Sequence, residues 1–263
     1  MIRFAATSIA LALVLAAACS QTSGNRAGVP PEPTGRDLES GTPSPSKGDE
    51  MEPTEPEFGT ETEEEPPRFE GGVFRIGAKL RSVLIGRNWK PGCPVAIDDL
   101  RLVRVSYWNF RGNVRTGPLI LHERVAKDVL WVFQQLFQAR FRIQEIKLAA
   151  KDRPLTPKDY WNTSRRSVTA SFNCRPATGS TTTLSQHSYG WAIDINPLQN
   201  PYVRNDGTTL RHIAQPFRDR SLHLKGMIHD GDIVVRSFAA IGWEWGGHWH
   251  TLKDYMHFSL TGR

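Results

Sequence analysis

Apolar positions recur along residues 71–263 with two periods, and each period predicts a different element. Over 101–110 the apolar residues Leu102, Val103, Val105, Tyr107 and Trp108 stand among polar ones, and Pro118-Leu119-Ile120-Leu121 follows the turn-like Arg111-Gly112-Asn113. Two strands are expected, over 101–110 and 117–122. Val125, Val129, Val132, Phe133, Leu136 and Phe137 then recur on one face, so 123–140 is expected to be an amphipathic helix packed on the sheet, with Trp131 in the core or at its rim. Segments 142–148, 168–174 and 191–195 read as further strands, and 232–241 as a helix stopped by Gly242. This order predicts a single α+β domain with a mainly antiparallel sheet and flanking helices, and no internal repeat.

The pattern before residue 71 is different. Met1-Ile2-Arg3 carries one positive charge, and 4–18 is apolar apart from Thr7 and Ser8, ending in Ala16-Ala17-Ala18-Cys19. That run is shorter than the roughly 20 residues that span a bilayer, so 1–19 is expected to be an export signal and not a transmembrane helix. Small residues directly before Cys19 resemble a bacterial lipoprotein processing site, which would make Cys19 the lipid-modified first residue and the membrane anchor. An ordinary cleaved signal with an incidental cysteine is the other reading. Residues 20–70 are rich in Pro, Glu, Thr, Ser and Gly and are expected to form a disordered, acidic tether.

Charge sharpens the division. Residues 20–70 hold 4 Lys/Arg against 13 Asp/Glu, whereas 71–263 hold 28 against 14 together with all eight His and all eight Trp. The chemistry is therefore expected in 71–263. A basic domain would ordinarily suggest nucleic acid, but export removes that ligand, so no nucleic acid is expected. The two cysteines left after processing, Cys93 and Cys174, would sit in an oxidising compartment, where a Cys93–Cys174 disulfide is the simplest pairing and two buried thiols the alternative.

Two segments carry the candidate chemistry. In Ser185-Gln186-His187-Ser188-Tyr189-Gly190-Trp191-Ala192-Ile193-Asp194, alternation turns Ile193 and Ile195 inward and Asp194 to the opposite face. Gly190 permits a tight reversal that brings His187 back beside Asp194. In Asp254-Tyr255-Met256-His257-Phe258-Ser259-Leu260 the same logic turns Phe258 and Leu260 inward and His257 outward. One carboxylate and two imidazoles suit a zinc ion with a fourth position left for water, and Asp254 is available as a base.

Ser-x-His-x-x-Gly-x-Ala-x-Asp followed by Trp-Gly-Gly and Asp-x-x-His-Phe resembles the LAS-type zinc peptidases, which are D-alanyl-D-alanine carboxypeptidases and L-alanyl-D-glutamate endopeptidases of cell-wall metabolism. The likeness runs from about Gly92 to Phe258 and takes in Gly92-Cys93-Pro94, Ser171-Phe172-Asn173-Cys174-Arg175, Asn196-Pro197-Leu198-Gln199-Asn200-Pro201-Tyr202 and Gly242-Trp243-Glu244-Trp245-Gly246-Gly247. It implies a hedgehog/DD-peptidase-like fold, zinc held by His187, Asp194 and His257, Asp254 as general base, Arg175 on the strand before the first motif as the group that stabilises the oxyanion, and Ser185 as a peptide contact. A turn-capping hydroxyl accounts for Ser185 nearly as well. His248 stands where the family more often has Asp or Asn; His248 and His250 are expected at a pocket wall or at the surface, with a second metal contact as the alternative. His122, His212, His223 and His229 fit no ligand pattern.

The resemblance implies an exported, lipid-anchored zinc metallopeptidase of the bacterial cell envelope that acts on peptidoglycan stem peptides, with removal of terminal D-alanine as the leading activity. An endopeptidase cutting L-alanyl-D-glutamate or a cross-link is the first alternative. A non-catalytic, zinc-containing wall-binding lipoprotein is the alternative of another class. Oligomeric state is not readable from the residues.

Overall fold

The computed structural model describes residues 65–149 and 167–262. The expected signal peptide, most of the expected tether, and Cys19 with its lipid anchor lie outside the described residues, as does the segment 150–166. The described residues belong to one compact unit, Thr62–Arg263. Packing reaches back before residue 71: Phe69 meets Phe137 edge-on at 5.6 Å, and the backbone of Glu70 gives to and takes from the Ser106 hydroxyl.

Three strands, β1 (Gly71–Arg75), β2 (Leu100–Trp108) and β3 (Val114–His122), form an antiparallel sheet in that order, with Val103 opposite both Val73 and Leu119. Successive side chains on a strand point to opposite faces, so this sheet buries two sets of residues. Val103, Val105, Leu119 and Leu121 join Val125, Val129, Val132, Phe133 and Leu136 of helix α2 (Glu123–Gln138) in the main core. Leu100, Leu102 and Ile120 face the other way, into a smaller cluster with Leu84, Val95, Ile97 and Phe172. The Cys93–Cys174 disulfide is present and ties that cluster together, its Cα atoms 5.9 Å apart. Leu84 closes the short helix α1 (Ala78–Leu84), whose other residues are not buried.

The rest of the chain forms short ladders held in place by that core. β4 (Glu145–Ile146) and β5 (Val168–Thr169) pair in parallel, β6 (Ala192–Asp194), β10 (His257–Ser259) and β8 (Glu244–Trp245) form an antiparallel sheet in the order β6-β10-β8, and β7 (Tyr202–Val203) pairs antiparallel with β9 (Lys253–Asp254). Helix α3 (Ile233–Ala240) is capped by Asp232, whose carboxylate accepts from the amides of Val234 and Val235. Its Phe238 stacks on Phe258 of β10 at 4.3 Å, which joins the small sheet to the main core.

The α+β class and the mainly antiparallel pairing agree with the sequence reading, with four departures. The strands expected over 142–148 and 168–174 shrink to two residues each and pair in parallel, because the chain beyond Thr169 changes partner at almost every residue: Ala170 bonds to Asp194, Phe172 N to Ile120 O, Asn173 N to His187 O and Cys174 N to Asn88 O, while the Ser171 hydroxyl donates to Ile120 O and accepts from Ile120 N. Arg175 consequently lies in a bend and not on a strand. Leu260, expected inward, is 38 % exposed, since β10 ends at Ser259 and the chain turns. Trp131 is 42 % exposed and so belongs to the surface of α2.

Phe133 is 1 % exposed where α2 meets the sheet, so Phe133→Ala should lower unfolding free energy by about 3–5 kcal/mol in a denaturant titration. The double substitution Cys93→Ser with Cys174→Ser should cost about 2–5 kcal/mol by the same measurement. No loss in either variant would contradict the core assignment.

Candidate metal centre

His187 is placed by a tight turn. Residues Gln186–Tyr189 form a 3₁₀ turn, the Ser185 hydroxyl caps it by accepting from His187 N at 3.3 Å, and Gly190 ends it in the left-handed region at φ 70°. A side chain at 190 would be strained there and would also meet the backbone, since its Cβ would lie 2.6 Å from His122 N. The reversal at Gly190 leads directly into β6 and brings His187 Nε2 to 3.2 Å from Asp194 Oδ1. Behind the ring, His187 Nδ1 lies 2.7 Å from the Ser171 carbonyl. A carbonyl oxygen only accepts, so Nδ1 carries the hydrogen and Nε2 presents its lone pair to the site.

His257 is placed by strand register. In the β6–β10 ladder His257 stands opposite Asp194, and Phe258 stands opposite Ile193. Phe258 and Ile193 are both fully buried, so the core fixes the register, and alternation sends His257 and Asp194 to the other face. His257 Nδ1 then lies 3.1 Å from Asp194 Oδ1. Asp254 arrives from β9, where it pairs with Tyr202 of β7. Gly246 makes this approach possible, because a Cβ there would fall 2.5 Å from Asp254 O.

The donor set fits a cation. One ligand atom each from His187, Asp194 and His257 lies within 4.8 Å of the others. The bare His187 Nε2 faces a carboxylate oxygen, an arrangement of two lone pairs that is stable only with a proton or a metal ion between them. Burial works to raise the Asp194 pKa, but positive charge on the His187 side, carried by a proton or a metal ion between the two groups, and the hydrogen bonding with the facing imidazoles outweigh it and hold this carboxyl well below its usual range. Asp254 goes the other way: burial, with the Asp194 charge adding to it against His257 and Arg175, pushes its carboxyl up to about 7. Its Oδ1 is buried without a hydrogen-bond partner among the described residues. The site thus holds two carboxylates driven in opposite directions, one suited to ligation and the other to proton transfer.

These groups open onto a cleft of about 440 Å³ that Arg175, Ser185, Tyr202, Trp249 and Met256 also line. All six residues proposed from the sequence for metal, base, arginine and peptide contact therefore meet in one place. The Ser185 hydroxyl is engaged as the turn cap, and it still borders the cleft. Arg175 is held through its backbone, with N donating to Ser188 Oγ at 3.0 Å and O accepting from it at 2.8 Å, while its guanidinium donates to Pro176 O. His248 and His250 do not face this cleft; they line a separate cavity, where His248 Nε2 lies 2.8 Å from Asp230. Trp249 and Tyr202 were given no role from the sequence. Trp249 packs against His257 at 5.5 Å and has a buried indole N–H without a partner, a feature visible only once the strands are in place.

Two buried imidazoles and a carboxylate, with a second carboxylate beside them in an open cleft, are a donor set that could hold a metal ion. Residues 178–260 match the family model described as D-alanyl-D-alanine carboxypeptidase, and that stretch contains His187, Asp194, Asp254 and His257. The resemblance read in the sequence is therefore shown over this part of the chain, and it supports a peptidase. No curated protein and no solved structure gives a match.

Asp194→Ala should abolish retention of a divalent ion by the chain after dialysis, measured by atomic emission. Gly190→Ala should weaken retention and also lower stability by at least about 1–2 kcal/mol, the cost of a left-handed non-glycine residue. Undiminished metal in Asp194→Ala would remove this carboxylate from the site.

Proposed function

We propose that the chain is a zinc-dependent peptidase that hydrolyses stem peptides of peptidoglycan, acting as a D-alanyl-D-alanine carboxypeptidase. The observation that carries this reading is the convergence of three metal-donor atoms beside an unpartnered, buried Asp254 oxygen in an open cleft. The family match over 178–260 supports a peptide substrate of this class. In keeping with the export signal read in the sequence, the domain would work outside the cytoplasm, tethered through a lipidated Cys19.

His187 Nε2, an Asp194 oxygen and His257 Nδ1 would hold the ion. When bound, zinc supplies a Lewis acid that acidifies a water molecule and polarises a carbonyl. The residues of the chain do the rest. Asp254 accepts a proton from the attacking water as its oxygen adds to the scissile carbonyl carbon, and a carboxyl whose pKa lies near 7 suits this exchange. The same proton passes to the amine nitrogen as the carbon–nitrogen bond breaks, which regenerates the carboxylate and releases a free amine and a free carboxylate. Arg175 borders the cleft with a guanidinium that stays charged, and it stabilises the carbonyl oxygen as that oxygen becomes negative. Asp194 keeps its charge throughout, because its neighbours favour the ionised form.

Mass spectrometry of a synthetic pentapeptide stem ending in D-Ala-D-Ala, incubated with the full chain, tests this function. Loss of one alanine, stopped by chelator and restored by zinc, is the expected result. An internal cut would replace the carboxypeptidase by an endopeptidase on the same centre, and no cleavage by the folded, zinc-loaded chain would leave a wall-binding protein. Asp254→Asn should lower kcat by about 10²–10⁴-fold while zinc content stays unchanged. Arg175→Ala should lower it by about 10²–10³-fold, with Arg175→Lys restoring part of the loss. Wild-type turnover in Asp254→Asn would refute the assigned base.

A further inference from the structure

Residues 247–257 form a wall between two cavities. Trp249, Thr251, Leu252, Asp254, Met256 and His257 line the metal cleft. Gly247, His248, His250, Lys253 and Tyr255 line a second cavity of about 500 Å³ on the other side. The division is sharpest at β9, where consecutive strand residues point to opposite faces: Asp254 enters the metal cleft and Lys253 the second cavity. The two cavities share no lining residue, so a ligand in one leaves the other free.

The charges around the second cavity do not balance. Arg220 lines it with a half-buried guanidinium whose four hydrogen bonds end on the carbonyls of Gln199, Phe217 and Ile228 and on the side-chain oxygen of Asn200, all neutral. The Tyr255 ring lies 4.4 Å from this guanidinium and the Asp232 charge acts on it, but among the described residues no carboxylate is bonded to it, and a partly desolvated cation so placed attracts an anion. Lys253 adds a second permanent charge and gives one hydrogen bond to Gly247 O, which leaves two of its three donors available. Asp230 is the one carboxylate among the described lining residues, and it is engaged by His248. His250 borders the same space and has no described hydrogen bond.

We propose that this cavity is a binding site for a phosphate group, either free or as the phosphodiester of a polymer. Lys253 and His250 would donate to the phosphate oxygens, and Arg220 would supply charge at closer range than bulk solvent screens. A phosphate presents several acceptor oxygens around one centre and so matches donors that arrive from different chain segments. An anchored anion here would hold the chain on a polyanionic surface with the metal cleft open.

Isothermal titration calorimetry of the full chain at low ionic strength, with chelator present to keep metal out of the cleft, tests the site. The probes are inorganic phosphate and a soluble glycerol-phosphate oligomer. Saturable, one-to-one binding is expected, about tenfold weaker in Lys253→Met, as for loss of one charge-assisted hydrogen bond, weaker in His250→Ala, and retained in Lys253→Arg. Tighter binding of the oligomer assigns the site to a polymer phosphodiester, and equal binding assigns it to a free phosphate group. Absence of saturable binding, or undiminished affinity in both Lys253→Met and His250→Ala, overturns the proposal. Because chelator is present, the outcome is independent of whether the metal cleft is catalytic.

Discussion

The register of β10 on β6 is the constraint on which the site depends. His257 stands opposite Asp194 because Phe258 and Ile193 are both buried, and a slip of one residue would turn the apolar pair to the cleft and the ligands to the core. The ladder is pinned from both sides. Trp245 of β8 pairs with Phe258, while Ala170 exchanges backbone hydrogen bonds with Asp194 at 3.1 and 2.9 Å. Gly190 then supplies the one reversal that returns His187 to the same carboxylate. The main core, through the Phe238–Phe258 stack, therefore holds His257 and Asp194 in place at a distance from them.

The same carboxylate organises the electrostatics. Asp194 is shared by two imidazoles through a single oxygen, so its charge is favoured despite burial. Asp254 has no such partner and is buried beside that charge, which keeps a proton within reach of its carboxyl near neutrality. Two identical side chains thus acquire opposite properties from their surroundings, imidazole charge and hydrogen bonding at Asp194 and burial beside a like charge at Asp254. The closeness of Gly246 to Asp254 and the pairing of Tyr202 with it show how much local backbone is arranged around this second carboxylate.

Long periodic segments were legible in the sequence because many residues vote for the same period. β2, β3, α2 and α3 lie within a few residues of their expected bounds, and the outward turn of Asp194 and His257 followed from alternation alone. β1 and α1 were missed. The first opens on two glycines at a sheet edge, and the second buries a single residue, Leu84. The segment beyond Thr169 misled for a different reason: Ser171 and Asn173 are polar yet buried, bonded to chain far away in sequence, so no periodicity marks their environment. The clustering of His187, Asp194 and His257 was legible through the motifs, whereas the facing of Lys253, His248 and His250 into a separate cavity required the fold of the whole 247–257 wall.

The central claim, that His187, Asp194 and His257 form the metal centre, is tested most directly by anomalous diffraction at the zinc edge from crystals of the zinc-loaded protein. A single strong peak is predicted, about 2.0–2.2 Å from His187 Nε2, an Asp194 oxygen and His257 Nδ1, with Asp254 outside bonding distance. A peak among His248, His250 and Asp230, or no peak at the Asp194 cluster, would contradict it.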